Sequence, residues 1–343
     1  MPSVRRILVF RFSAMGDVAM TAPVLREFKE KYPETELIVV SRALFAPFYE
    51  GISGIKFHPI EPKGKHQGLF GLYTLFKELK AYQPDALADL HYNLRSRILT
   101  TFFRLSGISV AHLDKARSEK NELIRQKNKV LRPLKHMTER YADVFRELGF
   151  VFQLKNKLLK QPEKLEEQIL SVIGPKNEKK WIGISPFAQH AQKVYPLDKM
   201  EQVLVQLADA GYQLFIFGGG TGEQQIAEKW TKLSSNIISI IGKLKLKEEL
   251  ALISNLDLML SMDSAGMHMA SLKGIPVLSI WGATHPFTGF LGYGQNLNNC
   301  VQVDLSCRPC SVYGNKICYR GDFACMHQLS IETILKKIAD NIS

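Results

Sequence analysis

Three junctions in the second half of the chain gather residue types that bind phosphates and sugars. In Leu258-Met259-Leu260-Ser261-Met262-Asp263-Ser264-Ala265-Gly266-Met267-His268, an apolar run ends at an acid and a hydroxyl, and a helical stretch opens beside a glycine. Free backbone N–H groups and the positive end of a helix dipole attract an anion there, and a diphosphate fits. The bland use of Asp263 or Ser264 is as an N-cap. In Ser185-Pro186-Phe187-Ala188, with Lys193 and Pro196 beyond, a hydroxyl and an ammonium could serve phosphate oxygens. A loop lysine is more often simply solvated. In Gly218-Gly219-Gly220-Thr221-Gly222-Glu223, the glycines let backbone approach a ligand, and Glu223 could take ribose or sugar hydroxyls. The alternative is a tight turn with an acid in the first helical turn. This run is neither a P-loop nor a dinucleotide fingerprint at the chain start.

The first half offers two more junctions. Arg11-Phe12-Ser13-Ala14-Met15-Gly16-Asp17 places a carboxylate at the opening of a helix. Asp17 is either a capping acid or a general base for an attacking hydroxyl. Asp89-Leu90-His91-Tyr92-Asn93-Leu94-Arg95-Ser96-Arg97 supplies His91, Arg95 and Arg97 beside one strand end, where the arginines could grip carboxylate or phosphate.

These junctions need strands that feed helices, and the sequence alternates the two throughout, as a parallel α/β sheet does. Strands are predicted over residues 6–12, 36–41, 55–59 and 85–90, and helices over 18–31, 68–82, 94–105 and 137–148. A polar Lys/Glu-rich stretch broken by Gly174-Pro175 reads as a linker. A second series starts at Trp181, with strands over 181–185, 212–217, 237–241, 256–261 and 276–281. The expected division is a domain over 1–160, a linker over 161–180, a second domain over 181–327 and a last helix over 328–343.

The net charge is +12, and residues 1–160 hold 28 Lys+Arg against 16 Asp+Glu, whereas 161–343 hold 17 of each. A basic half beside a neutral one suggests an anionic partner, or merely a solvated basic surface. Residues 115–135 concentrate eight cations, Lys120 and Arg125 among them, against two acids, and read as an exposed loop or loosely held helix. No recognisable nucleic-acid module accompanies the charge, so no nucleic-acid partner is expected. No apolar run approaches the roughly 20 residues of a membrane span. After Val4-Arg5-Arg6, Arg11 and Asp17 interrupt what could pass for a signal peptide, so that start reads as a buried strand of a cytoplasmic protein. Four of five cysteines cluster as Cys307, Cys310, Cys318 and Cys325. Their spacing lacks the second close pair of a zinc ribbon, which favours a structural role; no metal and no cofactor are expected.

Arg11 to Asp17, continued by Thr21-Ala22-Pro23-Val24-Leu25, resembles the N-terminal signature of the lipopolysaccharide heptosyltransferases, glycosyltransferase family nine. Asp263-Ser264 to His268, continued by Ala270 and Gly274-Ile275-Pro276-Val277, resembles its C-terminal signature. Trp281-Gly282-Ala283-Thr284-His285-Pro286 and Cys307-Arg308-Pro309-Cys310 with Cys318 and Cys325-Met326 fit as well. One departure is that Ala265 precedes Gly266, where the family usually has glycine directly after the Asp-Ser/Thr pair.

The resemblance implies a GT-B architecture, two Rossmann-like α/β domains facing across a cleft, with the last helix crossing back to the first domain. It implies Asp17 as the base, and Ser185, Lys193, Glu223, Asp263, Ser264, Gly266 and His268 around the nucleotide sugar. The implied donor is ADP-heptose. The implied acceptor is an anionic glycolipid of the lipopolysaccharide inner core, reached by peripheral contact with the inner-membrane surface. His91, Arg95, Arg97, Lys120 and Arg125 are the candidates for binding it. A non-catalytic nucleotide- or glycan-binding protein of the same fold, or a transferase using another nucleotide sugar, stays open.

Overall fold

A computed structural model describes residues 6–176 and 178–342; Val4 and Arg5 of the basic N-terminal lead, Asn177 of the expected linker and Ser343 lie outside them. In chain order the first elements are β1 (Arg6–Phe10), α1 (Met15–Ala19), α2 (Thr21–Lys31), β2 (Glu36–Ser41), β3 (Ile55–Pro59), α3 (Gly68–Lys80), β4 (Ala86–Asp89), α4 (Leu94–Leu105), β5 (Ser109–His112), α5 (Arg117–Ile124) and α6 (Met137–Glu147). They continue as α7 (Glu167–Ile173), β6 (Trp181–Ser185), α8 (Leu197–Asp209), β7 (Gln213–Ile216), α9 (Thr221–Trp230), β8 (Ile237–Ser239) and α10 (Leu246–Ser254). The last are β9 (Leu258–Met262), α11 (Ala265–Leu272), β10 (Val277–Ile280), β11 (Cys300–Val301), α12 (Ala324–His327) and α13 (Ile331–Ile342).

The chain divides into two units. The first, Met1–Lys115 with Lys135–Lys155, holds a parallel sheet in the order β3-β2-β1-β4-β5. Both faces of β1 are buried: Leu8 and Phe10 pack with Leu75, Leu79, Leu99 and Phe103, and Ile7 and Val9 are equally inaccessible on the other side. A strand buried on both faces reads as a continuous apolar run, as this one does. The predicted single helix over 18–31 is instead α1 and α2. Pro23 has no N–H to donate back to Ala19, so the ladder breaks where it would have crossed Met20.

The second unit, Ala116–Leu134 with Asn156–Ser343, holds a parallel sheet in the order β11-β10-β9-β6-β7-β8. Counted from β6, that is the 3-2-1-4-5-6 order of a dinucleotide-binding fold, and the first sheet has the same order less one strand. The expected boundary at residue 160 lies earlier, because 156–163 is pinned to this unit. Lys160 Nζ donates to Leu256 O at 2.7 Å and Glu163 N to Ser254 Oγ at 2.9 Å. The last helix, α13, belongs to the second unit. Ile334, Ile338 and Ile342 form a stripe at four-residue spacing on α13, and they bury in the second core, where α13 packs on α8.

The basic segment also departs from expectation. Residues 116–134 belong to the second unit, so the positive excess is shared: 20 Lys+Arg against 14 Asp+Glu in the first unit, and 25 against 19 in the second. Lys129 Nζ donates to Cys307 O and Pro309 O, both at 2.8 Å, and Leu134 N donates to Phe287 O at 2.9 Å. The segment contains α5 and forms a strap held by backbone carbonyls.

Candidate active site

In each sheet the winding reverses between the first strand and its fourth, and ligands of α/β sheets bind beyond the carboxyl ends of strands at that point. In the first unit these strands are β1 and β4, with Phe10 paired to Asp89. Arg11 to Asp17 follow one, and His91 to Arg97 follow the other. In the second unit they are β6 and β9, with Ser185 paired to Ser261. Ser185 ends β6, and Asp263 and Ser264 follow β9. All these residues lie far apart in sequence, and the topology brings each set to one crevice.

In the first unit Arg11 is buried and its guanidinium meets Asp17 Oδ2 at 2.6 Å, donates to Leu90 O at 2.7 Å and lies over the Tyr141 ring. Burial alone would lower its pKa; Asp17, Tyr141 and Tyr49 outweigh that and raise it. Ser41 Oγ donates to Arg11 O at 2.5 Å, which holds the backbone of the turn. Asp17 is the acid of a short helix, with its side chain 27% exposed. The sequence signal for Arg11 is an arginine that closes an apolar strand.

The acceptor candidates separate. His91 is buried, its Nδ1 accepts from Phe12 N at 3.3 Å, and burial, then Arg11 and Lys115, push its pKa down to about 3. It supports the Arg11–Asp17 turn as a neutral acceptor. Asp89 Oδ1 accepts from His91 N and Tyr92 N at 2.9 and 2.8 Å, and Asn93 caps α4 in a reciprocal pair with Ser96. Arg95 is partly buried, and Arg97 is exposed with its guanidinium over the Tyr92 ring. Lys120 and Arg125 sit on the strap of the second unit, apart from the other three in the division of the chain. Lys120 is buried with its ammonium 4.6 Å from the Phe290 ring centroid, and Arg125 Nε donates to Asn128 O at 2.5 Å.

In the second unit Lys193 Nζ meets Asp263 Oδ2 at 2.8 Å, both largely buried. An ammonium has three donors, so this pairing leaves capacity for an anion while neutralising the acid beside it. A Cβ at Gly314, whose φ is +78°, would run into Lys193 Cγ and lie 2.7 Å from Cδ, so this glycine lets the lysine stem pass. No sequence motif pointed to it. Ser264 occupies the N-cap position of α11 but makes no side-chain cap bond; its hydroxyl lies 3.5 Å from Ser261 Oγ. The bland capping role is therefore not the one it plays. Gly266 lies so close to β6 that a Cβ there would overlap Ser185 Oγ and Cβ. That close approach brings the Ser185 hydroxyl to the first turn of α11. His268 is buried one turn further along.

Glu223 Oε2 accepts from Gly219 N at 2.7 Å, so the carboxylate closes its own glycine turn. His285 is the N-cap of a short turn, accepts from Phe287 N at 3.1 Å and has its pKa pushed down to about 4, by burial first and then by Arg308. Arg308 is buried among carbonyls, donating to Gly282, Trp281, Thr284 and Val303 oxygens at 2.5–3.0 Å. It ties the Trp281 to Thr284 stretch to the Cys307–Cys310 turn. All five cysteines are free thiols, and burial raises the pKa of Cys325 to about 11. Among the described residues no group of three or more His, Cys, Asp or Glu is placed to hold a metal ion.

Two Rossmann-type units, with a lysine, two serine hydroxyls and a helix N-terminus at the switch point of the second, are the parts of a GT-B glycosyltransferase. Residues 72–319 match the sequence pattern of Glycosyltransferase family 9 (heptosyltransferase). The chain belongs to that family. It is 26% identical over 310 residues to the lipopolysaccharide core heptosyltransferase OpsX of Haemophilus influenzae, covering 87% of this chain and 84% of that protein. The fold matches the crystal structure of the glycosyl transferase family 9 protein from Veillonella parvula with a TM-score of 0.76, at 20% identity over 100% of this chain and 98% of that one. It also matches the E. coli heptosyltransferase WaaC with ADP-2-deoxy-2-fluoro heptose, with a TM-score of 0.68, at 18% identity over 98% and 99% of the two chains. Among the described residues no helix is long and apolar enough to cross a membrane.

Proposed function

We propose that this enzyme transfers a heptose from ADP-heptose, with inversion and without a metal ion, to a lipopolysaccharide inner-core acceptor. The observation that carries the reading is the Lys193–Asp263 pair beside the uncapped Ser264 start of α11 at the switch point of the second unit. In this reading the second unit holds the donor. The helix N-terminus, Ser185, Ser264 and Lys193 receive the diphosphate, and Gly266 keeps them close together. The first unit supplies Asp17, and Arg95 and Arg97 meet acceptor anions.

The acceptor hydroxyl oxygen forms a bond to the anomeric carbon as its proton passes to Asp17. The bond from that carbon to the β-phosphate oxygen breaks, and ADP leaves with the electron pair. Preorganised donors stabilise charge that develops on the leaving diphosphate. Lys193 and the α11 amides are such donors, and the sequence has no Asp-x-Asp pair of the kind that carries a divalent ion.

The test is turnover of ADP-heptose with a Kdo-containing acceptor, reading ADP release and product mass, with and without EDTA. Transfer that persists in EDTA supports the whole reading. Loss in EDTA restored by Mg²⁺ would remove the metal-independent part. Calorimetry with ADP, UDP, GDP and NAD tests the donor, and preference for UDP or GDP would move it to another sugar nucleotide.

A further inference from the structure

The outer face of α3 carries large apolar side chains that the first core does not use. Leu72, Leu75, Phe76 and Leu79 face inward and are buried. On the opposite face Phe70 is 90% exposed, Leu69 66% and Tyr73 50%. Helical spacing places Leu69, Tyr73, Lys77 and Lys80 along one line, with Phe70 beside it. The Lys77 ammonium stands 5.2 Å from the Tyr73 ring centroid, and Tyr73 meets the Phe102 ring of α4 edge-on at 6.0 Å. The face is thus apolar at its first turns and cationic at its last, and its Tyr73 ring is held by Lys77 and Phe102.

The charge around it is one-sided. Lys77 and Lys80 are exposed at the end of the face, and Lys63 and Lys65 are exposed in the loop before α3. Glu78, the acid of α3, turns away to His58, His66 and Lys65, with its Oε2 3.2 Å from each imidazole Nε2. Glu61 is the remaining acid of the preceding loop. A helix with apolar residues on one side and lysines along its edge lies in the plane of a bilayer surface; rings and aliphatic groups enter the acyl boundary, and ammonium groups meet anionic headgroups.

We infer that the exposed face of α3, Leu69, Phe70 and Tyr73 with Lys77 and Lys80, is the surface by which this enzyme docks on an anionic lipid bilayer. A second copy of the chain fits poorly. Three apolar side chains fall well short of the roughly 20–30 residues a side of a stable protein interface, and a two-fold contact would set Lys77 and Lys80 against their own copies. The inference deepens the proposed function, in which the acceptor is a glycolipid, and it names the part of the first unit that reaches it.

Flotation with vesicles of phosphatidylethanolamine and phosphatidylglycerol, and with vesicles of phosphatidylcholine alone, tests the surface. The full chain should float with the anionic vesicles, weakly or not at all with the neutral ones, and be released by salt. Leu69→Ser with Phe70→Ser should weaken flotation about tenfold or more. Lys77→Glu with Lys80→Glu should weaken it at least about fivefold per residue, and only on anionic vesicles. All four side chains are exposed, so thermal unfolding and turnover of a soluble, deacylated acceptor should stay at the wild-type level, while turnover of acceptor embedded in vesicles should fall. Wild type that fails to float, or variants that float like wild type, would overturn the inference and leave the proposed activity standing if the soluble acceptor still turns over. Floating protein with no transferase activity on either acceptor would overturn the proposed activity alone. A variant that changes the sedimentation state would assign the face to self-association instead.

Discussion

The Arg11 guanidinium meets the Asp17 carboxylate at 2.6 Å, with the arginine buried and the acid partly open to solvent. The cation is anchored at its other side by Leu90 O, so it fixes the acid rather than following it. A base held in one geometry by a buried partner is the arrangement expected where a proton must be taken in a defined direction.

Replacing the acid should therefore separate chemistry from binding. Asp17→Asn keeps the size and can still accept from Arg11. It should lower kcat by about 10²–10⁴-fold while ADP affinity, read by calorimetry, stays within twofold or so. Equal loss of ADP binding would show that Asp17 is structural.

On the donor side, Lys193→Ala should weaken ADP binding by roughly ten- to a hundredfold, the weight of one charge-assisted hydrogen bond to an anion. Asp263→Asn frees the ammonium from its pair, so ADP binding should survive or tighten. Opposite responses of the two variants would mark Lys193 as the anion ligand and Asp263 as its holder. Matching losses would point to a purely structural pair.

Gly266→Ala would push a methyl into Ser185. The first turn of α11 must then move from β6, at a cost of about 1–3 kcal/mol. Urea unfolding should show that loss, and nucleotide affinity should fall with it. Stability lost with ADP affinity unchanged would mean that the β6–α11 approach does not serve the ligand.

Two histidines predict acid sensitivity. Burial pushes the imidazoles of His91 and His285 down to about 3 and about 4, from an ordinary histidine value of 6.5. Between those values the unfolded chain binds protons that the folded one refuses, so stability is full above about 6.5 and falls as pH drops toward 4. Each histidine contributes a slope of about 1.4 kcal/mol per pH unit. Urea midpoints measured from pH 7 down to 5 should fall, and His285→Asn, which keeps an acceptor for Phe287 N, should flatten the curve by one proton. An unchanged slope would refute the assignment for His285.

The strap gives the last prediction. Lys129→Met removes two bonds to the Cys307 and Pro309 carbonyls, about 1–3 kcal/mol from a partly buried charged group. Trypsin should then cut within residues 116–134 faster than in wild type, with the rest of the chain equally resistant. Cutting at the wild-type rate would mean that the lysine does not hold the strap.

The chemistry-bearing junctions were legible in the sequence because each is local. An apolar strand, a short turn with an acid or hydroxyl, and a helix that follows are all written in adjacent residues, as at Asp263 and Ser264. The glycosyltransferase class could be read from the order of several such signatures. The bounds of the expected strands and helices follow the apolar spacing closely, except where Pro23 splits a helix through a missing donor; the short edge strands β5 and β11 carried too little apolar pattern to be read.

What only the tertiary structure decided is which residues meet over distance. Charge counted along the chain put the basic excess in the first half, but the strap is held by carbonyls 178 and 180 positions away. Its cations thus moved to the other unit. The stripe of Ile334, Ile338 and Ile342 declared a buried face without saying against what, and α8 turned out to be its partner. His91 stood in the sequence beside Arg95 and Arg97 at one strand end, and only the fold shows it buried beside Arg11 with Phe12 N as its donor. Sequence carries residue type and local period. Pairing, burial and the electrostatic field arise from contacts between distant segments, and those decide whether a lysine, an acid or an imidazole is used by the fold or left for a ligand.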